Sequence, residues 1–335
     1  MIDTALLPSP STEPSPVQKL MRERRFGMFL HFSVNTFGNV EWSDGGIQAA
    51  SFQPTAIDAD GWVKTARDAG MKYVIAITKH HDGFCCWPTM TYEYCVRNAR
   101  NKTDIIRALS EACYKYGIQF GLYYSLWDRS APEYQRDFTG EYIPLMLRQL
   151  TELLDGTYGE VCELWLDGTW DKKRTDWQLE EVYSLVRRLQ PNCAVGLNHT
   201  VGDDFDVAGF PDDKWQPMYV KEGDPLRMWP TDFRLWDPYP PRADDPKLFT
   251  FAGKTYYLPF EMTVCSREGF SWFYSNIYED KPFTDVDKAV EDIRRCWSTG
   301  GCAVINMPPD IHGKLVQGDV DHLMQIAQKL GVANI

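Results

Sequence analysis

A carboxylate closes a short apolar run near the middle of the chain. Residues 161–166, VCELWL, are too few for a typical helix and are of types that suit a buried, pleated surface. The run stops at Asp167, and Gly168 behind it permits a tight turn. Trp165 and Trp170 flank the acid, so a charge sits beside flat apolar faces of the kind on which sugar rings rest. A carboxylate in that setting can attack a sugar carbon as a nucleophile.

Other polar residues stand where apolar runs end: His31, His80-His81-Asp82, Tyr124 with Trp127, Asn198-His199, Glu261 and Asn306. Any one of them alone reads as an ordinary hydrogen-bonded residue. Three chemistries could use them together. Metal catalysis would draw on the histidines and carboxylates, but no strand carries a His-x-His pair on one face. His80 and His81 are adjacent, which in an extended segment sends them opposite ways. A Ser or Cys nucleophile lacks its elbow, since no GxSxG occurs. Paired carboxylates remain: Asp167 to attack or stabilise a cationic sugar, and a second acid from a later strand or loop to protonate the leaving oxygen.

The elements that must position these residues alternate regularly. Apolar runs at 26–33, 73–78, 118–124, 161–166, 194–198, 255–262 and 302–306 read as strands. Helical patterns at 58–69, 103–116, 141–154, 175–189, 285–299 and 318–330 separate or follow them, with Gly70 and Gly117 as stops. The reading places Glu261 at the end of its strand. Residues 199–253 lack periodicity and are too long for a plain connection, so an eighth strand is expected there, near 215–219. Strand–helix alternation with non-alternating strands implies a parallel sheet. With no GxGxxG after the first strand and no GxxxxGK[ST], a (β/α)8 barrel is predicted over residues 17–335, behind an extended proline-rich arm at 1–16. Such a barrel gathers its strand ends at one mouth.

The balance of 35 basic to 47 acidic residues, net −12, argues against nucleic acid and anionic membranes as partners. Nine cysteines, none in a CxxC pair, read as reduced buried thiols. There is no signal-peptide pattern and no apolar run of 18 residues, so membrane insertion is not expected. The compartment stays open: cytoplasmic if residue 1 is the native start, periplasmic or secreted if a signal was removed. No cofactor or metal is called for, and the oligomeric state is not encoded in any visible pattern.

Several blocks resemble glycoside hydrolase family 29, the α-L-fucosidases. They are GMFLHF at 27–32, EW at 41–42, YVIAITKHHDGF at 73–84, GIQFGLYYS at 117–125, LWLDG at 164–168, FEMTVCSREGFSWFY at 260–274 and VINMPPD at 304–310. The resemblance implies a retaining exo-glycosidase acting on fucosylated oligosaccharides or glycoconjugates, with Asp167 as nucleophile. It implies a fucose pocket lined by His31, Trp42, His80, His81, Tyr124 and Trp272. For the acid/base it offers Glu261, or Glu222, Asp237, Asp244 or Asp245 in the loop upstream. Phe260 and Phe273 stand where the family usually has Trp and Gly, which opens a sugar such as L-galactose or D-arabinose as an alternative. A non-catalytic sugar-binding barrel is a third reading. The β-sandwich that often follows the family's barrel is not expected in this chain.

Overall fold

The computed structural model describes residues 2–169, 171–200, 220–237 and 239–334. Among the described residues the ten strands are β1 (Phe26–Leu30), β2 (Tyr73–Lys79), β3 (Gln119–Ser125), β4 (Glu163–Asp167), β5 (Ala194–Asn198), β6 (Phe233–Leu235), β7 (Leu248–Phe251), β8 (Lys254–Tyr257), β9 (Phe260–Cys265) and β10 (Cys302–Asn306). Eight close into a parallel barrel in the order β1-β10-β9-β6-β5-β4-β3-β2, while β7 and β8 form a separate antiparallel hairpin. The architecture is that of a (β/α)8 barrel.

The helices are α1 (Pro16–Arg24), α2 (Val34–Gly38), α3 (Ala59–Asp68), α4 (Ile105–Tyr116), α5 (Pro132–Arg136), α6 (Ile143–Leu154), α7 (Leu179–Leu189), α8 (Val286–Ser298) and α9 (Gln317–Leu330). Aspartates begin three of the long ones: the side chains of Asp58, Asp104 and Asp285 each accept a hydrogen bond from a first-turn N–H. The apolar faces of these helices pack on the outward-facing side chains of the strands in one continuous core.

Inward-facing strand residues form a second core, with Phe29, Tyr123, Trp165, Phe233 and Val304 among its members. Space for the large rings comes from missing side chains. A Cβ on Gly196 would lie 2.2 Å from the Phe233 ring, and one on Gly27 would lie 2.7 Å from Tyr73. The floor is closed by α1, whose Met21 joins this inner core and whose Arg24 pairs with Glu163 at 2.7 Å.

Two expectations about strands are corrected. The eighth barrel strand is β6, at 233–235; residues 215–219, expected to supply it, lie outside the described residues, as does Trp170. The run at 255–262 is two elements, because Pro259 has no N–H to continue a ladder. The barrel strand β9 begins after that proline, so Glu261 lies near its start and Cys265 at its end. All nine cysteines are free and buried. Among the described residues no helix is long and apolar enough to cross a membrane.

Candidate active site

Asp167 is the last residue of β4 and is 5% exposed. Gly168, at φ +81°, turns the chain back so that its N–H reaches Asp167 Oδ1 at 2.8 Å. Two more donors converge: Tyr123 Oη on Oδ2 at 2.8 Å and Asn198 Nδ2 on Oδ1 at 3.1 Å. Burial raises the Asp167 pKa, and these three donors pull it back toward the anion.

A second carboxyl group meets it from the next strand but one. Asp237 follows β6 by two residues, and its Oδ2 accepts from the same Asn198 Nδ2 at 3.3 Å. The orientation of that amide is set by its other end, where Asn198 Oδ1 accepts from the N–H of His199 and of Asp237. Asp237 Oδ1 has no hydrogen-bond partner among the described residues. Burial, and then the charge of Asp167, push Asp237 up to about 8, so it carries a proton at neutral pH. One acid is solvated by donors as an anion; the other is kept neutral beside it.

Imidazoles form the facing wall. The chain turns immediately after β2, with Gly83 N–H bonded to the His80 carbonyl, so His80 and His81 do not diverge as an extended segment would have them. Their ring centroids lie 4.2 Å apart, and His80 stacks on Tyr123 at 5.6 Å. His81 Nε2 is 3.6 Å from Asp167 Oδ2. Ser125 Oγ donates to the Trp127 carbonyl, so it accepts from His81 Nδ1–H and leaves Nε2 as that ring's acceptor. Asn306 fixes His31 similarly. Its Nδ2 donates to the Ser271 and Trp272 carbonyls, so its Oδ1 accepts from His31 Nδ1–H. Burial drives His31 and His81 down to about 3, and His80 well below its ordinary value, so all three are neutral.

Aromatic side chains finish the rim. Trp42 lies edge-on to His81 at 5.1 Å and to Trp127 at 6.0 Å, while Trp272 and Phe273 approach His31 at 5.1 and 5.3 Å. One carboxylate ties these walls together. Glu41 Oε2 accepts from the N–H groups of Trp272 and Phe273 at 3.1 and 3.0 Å.

His31, Trp42, His80, His81 and Trp272 are therefore brought around Asp167. Tyr124 is not: its hydroxyl donates to Gln149 on α6, and Lys79 lies over its ring, so it faces the helices. Strand alternation puts Tyr123 inward instead. Glu261 lies beneath the pocket, where Trp165 Nε1 and Tyr73 Oη donate to it. Burial and the neighbouring Glu163 hold its pKa well above the carboxylate range. Trp165 stacks on Tyr123, so rings separate Glu261 from Asp167. Asp245 is buried in ion pairs with Arg234 and Lys247, Asp244 pairs with Arg242 at the surface, and Glu222 accepts from the Lys247 N–H. Of the five acids considered, Asp237 alone shares a donor with Asp167.

Sequence reasoning passed over Tyr123, noted Phe273 only as a departure from the family pattern, and gave Glu41, Asn198 and His199 no role. His199 has φ +54°, its carbonyl accepts from Arg227 Nε at 2.9 Å, and its ring meets Trp236 edge-on at 5.1 Å. Burial lowers it to about 4 against the pull of Asp167. An apolar strand ending in Asn-His was the available signal. Among the described residues, no group of three or more His, Cys, Asp or Glu is arranged to hold a metal ion.

The chain is 32% identical over 339 residues to alpha-L-fucosidase 1 of Arabidopsis thaliana, an alignment covering 96% of this chain and 60% of that protein. It is 27% identical over 255 residues to the human tissue alpha-L-fucosidase, covering 62% of this chain and 54% of the other. The chain thus spans a little over half the length of these relatives. A crystal structure of a glycoside hydrolase 29 family member from an unknown rumen bacterium superposes with a TM-score of 0.79 at 25% identity, over 96% of this chain and 58% of that one. The family model for alpha-L-fucosidase matches residues 38–334, and the chain belongs to that family.

Proposed function

We propose that the protein hydrolyses terminal α-L-fucosyl linkages with retention of configuration. The observation that carries this reading is the pair Asp167 and Asp237 on one amide nitrogen of Asn198, one stabilised as an anion and the other held neutral. Two oxygens that share a donor at 3.1 and 3.3 Å cannot be further apart than those bonds laid end to end. That limit, which concerns one oxygen of each acid, is compatible with the about 5–5.5 Å of retaining chemistry and reaches only the lower edge of the about 6.5–9.5 Å of inverting chemistry.

In this mechanism Asp167 attacks the anomeric carbon as the bond to the leaving oxygen breaks, and Asp237 gives its proton to that oxygen. The resulting aspartyl ester of the sugar is opened by water, whose proton returns to Asp237 while Asp167 leaves as the carboxylate. Tyr123, Asn198 and the Gly168 N–H stabilise that carboxylate before attack and after release. Neutral imidazoles at His31 and His81, each with Nε2 as acceptor, suit sugar hydroxyls as donors. Trp42, Trp272 and Phe273 suit the apolar face and methyl group of fucose.

The test is release of phenol from an aryl α-L-fucoside, with the anomer of the first-formed sugar followed by NMR. Retention supports the proposal; first-formed inverted sugar, or no release, rejects it. Phe260 does not bear on the pocket, since it packs outward against the Arg234 guanidinium at 4.6 Å. Phe273 does, standing against His31 and His80 at 5.3 and 5.0 Å. Aryl glycosides of L-galactose and D-arabinose therefore belong in the same panel, and faster release from either moves the specificity.

A further inference from the structure

Lys79 ends β2, one residue before His80, and its side chain is wholly buried. Alternation from the inward Ile75 and Ile77 would aim it into the barrel, but the register of β2 on β3 shifts between Ile77 and Lys79. The ammonium lies instead among outer-core residues. Its Nζ donates to Asp128 Oδ2 at 2.9 Å and to Tyr142 Oη at 3.1 Å, and stands 4.5 Å from the centre of the Tyr124 ring. Burial opposes the charge, but Asp128, Tyr124 and Tyr142 raise the Lys79 pKa well above its ordinary value. A buried ion pair is a weak source of stability, since an apolar pair of similar volume often serves as well. What this pair holds is a set of contacts that end at the pocket.

Two links are hydrogen-bonded. Asp128 Oδ1 accepts from Ser130 Oγ and from the Ser130 and Ala131 N–H groups, which folds the chain tightly after Trp127. That turn is pressed against the one after His81. The Arg129 N–H donates to the His81 carbonyl at 2.9 Å, and a Cβ on Gly83 would overlap Asp128 Oδ1 and Ser130 Oγ. Tyr142 accepts from Lys79 and donates to the Leu126 carbonyl, and the Leu126 N–H donates to the Asp167 carbonyl at 2.7 Å. Ser125, which receives His81 Nδ1–H, and Trp127, 5.5 Å from the His81 ring, belong to the segment so fixed. The third link is charge. His81 is faced by Asp167 from β4, His31 from the end of β1, its neighbour His80, and the cations Arg129 and Lys79. Burial first, then Arg129 and Lys79, keep its ring neutral.

We propose that Lys79 and Asp128 are a positioning pair for the glycosidase reaction and act through His81, setting its Nδ1–H on Ser125 and so keeping Nε2 toward Asp167 at 3.6 Å. The link to turnover rests on the fucosidase reading above; the effect on the ring does not.

The experiment uses the full chain with Asp128→Asn, and with Lys79→Met and Asp128→Asn together. The double variant buries no unpaired charge and should melt close to wild type. The readout that a merely structural pair would not move is the His81 ring, followed by NMR of its nitrogens from neutral pH to about 5, with His81→Gln assigning the signals. Wild type should show the neutral Nδ1–H tautomer throughout. Asp128→Asn should show mixed tautomers, because the segment holding Ser125 is loosened. The double variant should show the same mixture and also begin to protonate as the pH falls, because a cation has gone. In both, kcat/KM on an aryl α-L-fucoside should fall by about 10²-fold. A His81 ring unchanged in tautomer and titration in whichever variant folds would overturn the proposal, whatever the activity. A wild type that releases no fucose would reject the fucosidase reading, while the His81 spectra would still decide the role of the pair.

Discussion

Asp167 and Asp237 accept hydrogen bonds from the same nitrogen of Asn198, at 3.1 and 3.3 Å. Two carboxyl groups this close cannot both ionise without cost, and their surroundings decide which one keeps the proton. Asp167 has two further donors, while one oxygen of Asp237 has no partner among the described residues and its carboxyl group is pushed up to about 8. The alkaline limb of kcat/KM should therefore fall near pH 8, as Asp237 loses its proton, and the acid limb should follow protonation of Asp167. Asp237→Asn should erase the alkaline limb and slow aryl fucosides by about 10²–10⁴-fold. A fluoride leaving group, which needs no proton, should be hurt far less. A pH–rate series on both substrates checks this.

The two acids are also separable by stereochemistry. Without a nucleophile, as in Asp167→Gly, azide can attack the sugar only directly, so rescued turnover should give an inverted glycosyl azide. In Asp237→Gly the aspartyl ester still forms, and azide should give the retained one. Product anomers assigned by NMR decide the roles, and reversed products would exchange them.

The barrel was legible because each strand is a compact apolar run and most long helices begin or end at a residue with a mechanism, such as Asp104 or Gly117. Asp167 was legible for the same reason, lying at the end of such a run. Glu261 was misplaced because an aromatic run appeared continuous across Pro259, whereas the proline divides a hairpin strand from a barrel strand. The eighth strand was expected within 199–253, where β6 lies, but was set near 215–219 because β6 has only three residues, too few for a periodicity. Glu41 could not be found from spacing: its partners Trp272 and Phe273 lie over 230 positions away.

Tyr123 and Tyr124 give a paired test of strand parity. Tyr123 Oη donates to Asp167, whereas Tyr124 Oη donates to Gln149 on α6. Tyr123→Phe should lower kcat and move the acid limb upward, because the Asp167 anion loses a donor. Tyr124→Phe should leave kcat/KM nearly unchanged and cost about 1–2 kcal/mol of stability through the orphaned amide oxygen. Steady-state kinetics and thermal melts on both variants distinguish the faces.

Glu261 is expected to be dispensable for chemistry. Its pKa is raised by burial and by Glu163, and an isosteric amide can accept from Trp165 with its oxygen and donate to the Tyr73 hydroxyl with its nitrogen. Glu261→Gln should hold kcat/KM within about threefold, where loss of a general acid would cost about 10²–10⁴. The pH sign is fixed by the upward shift. Wild-type stability from this group is fully present below its ordinary pKa of 4.5 and is lost as pH rises toward the folded value. The amide does not titrate, so melting curves of the variant should lack that decline.

Glu41 links the loop carrying Trp42 to the loop carrying Trp272 and Phe273 through two backbone donors on one oxygen. Burial raises its pKa, and the Phe273 N–H and Lys281 oppose that shift. Glu41→Ala would leave both N–H groups without their acceptor, at about 1–3 kcal/mol for each that water cannot reach. The pocket wall would loosen before the barrel did, because β1 and β10 do not depend on this contact. KM for aryl fucosides should therefore rise and hydrogen exchange at Trp272 and Phe273 should quicken, while amides of β1 and β10 stay protected. Glu41→Gln keeps one carbonyl oxygen for the two donors and should restore most of the protection. If Glu41→Ala leaves exchange at 272–273 unchanged, the two loops are held by something other than this carboxylate.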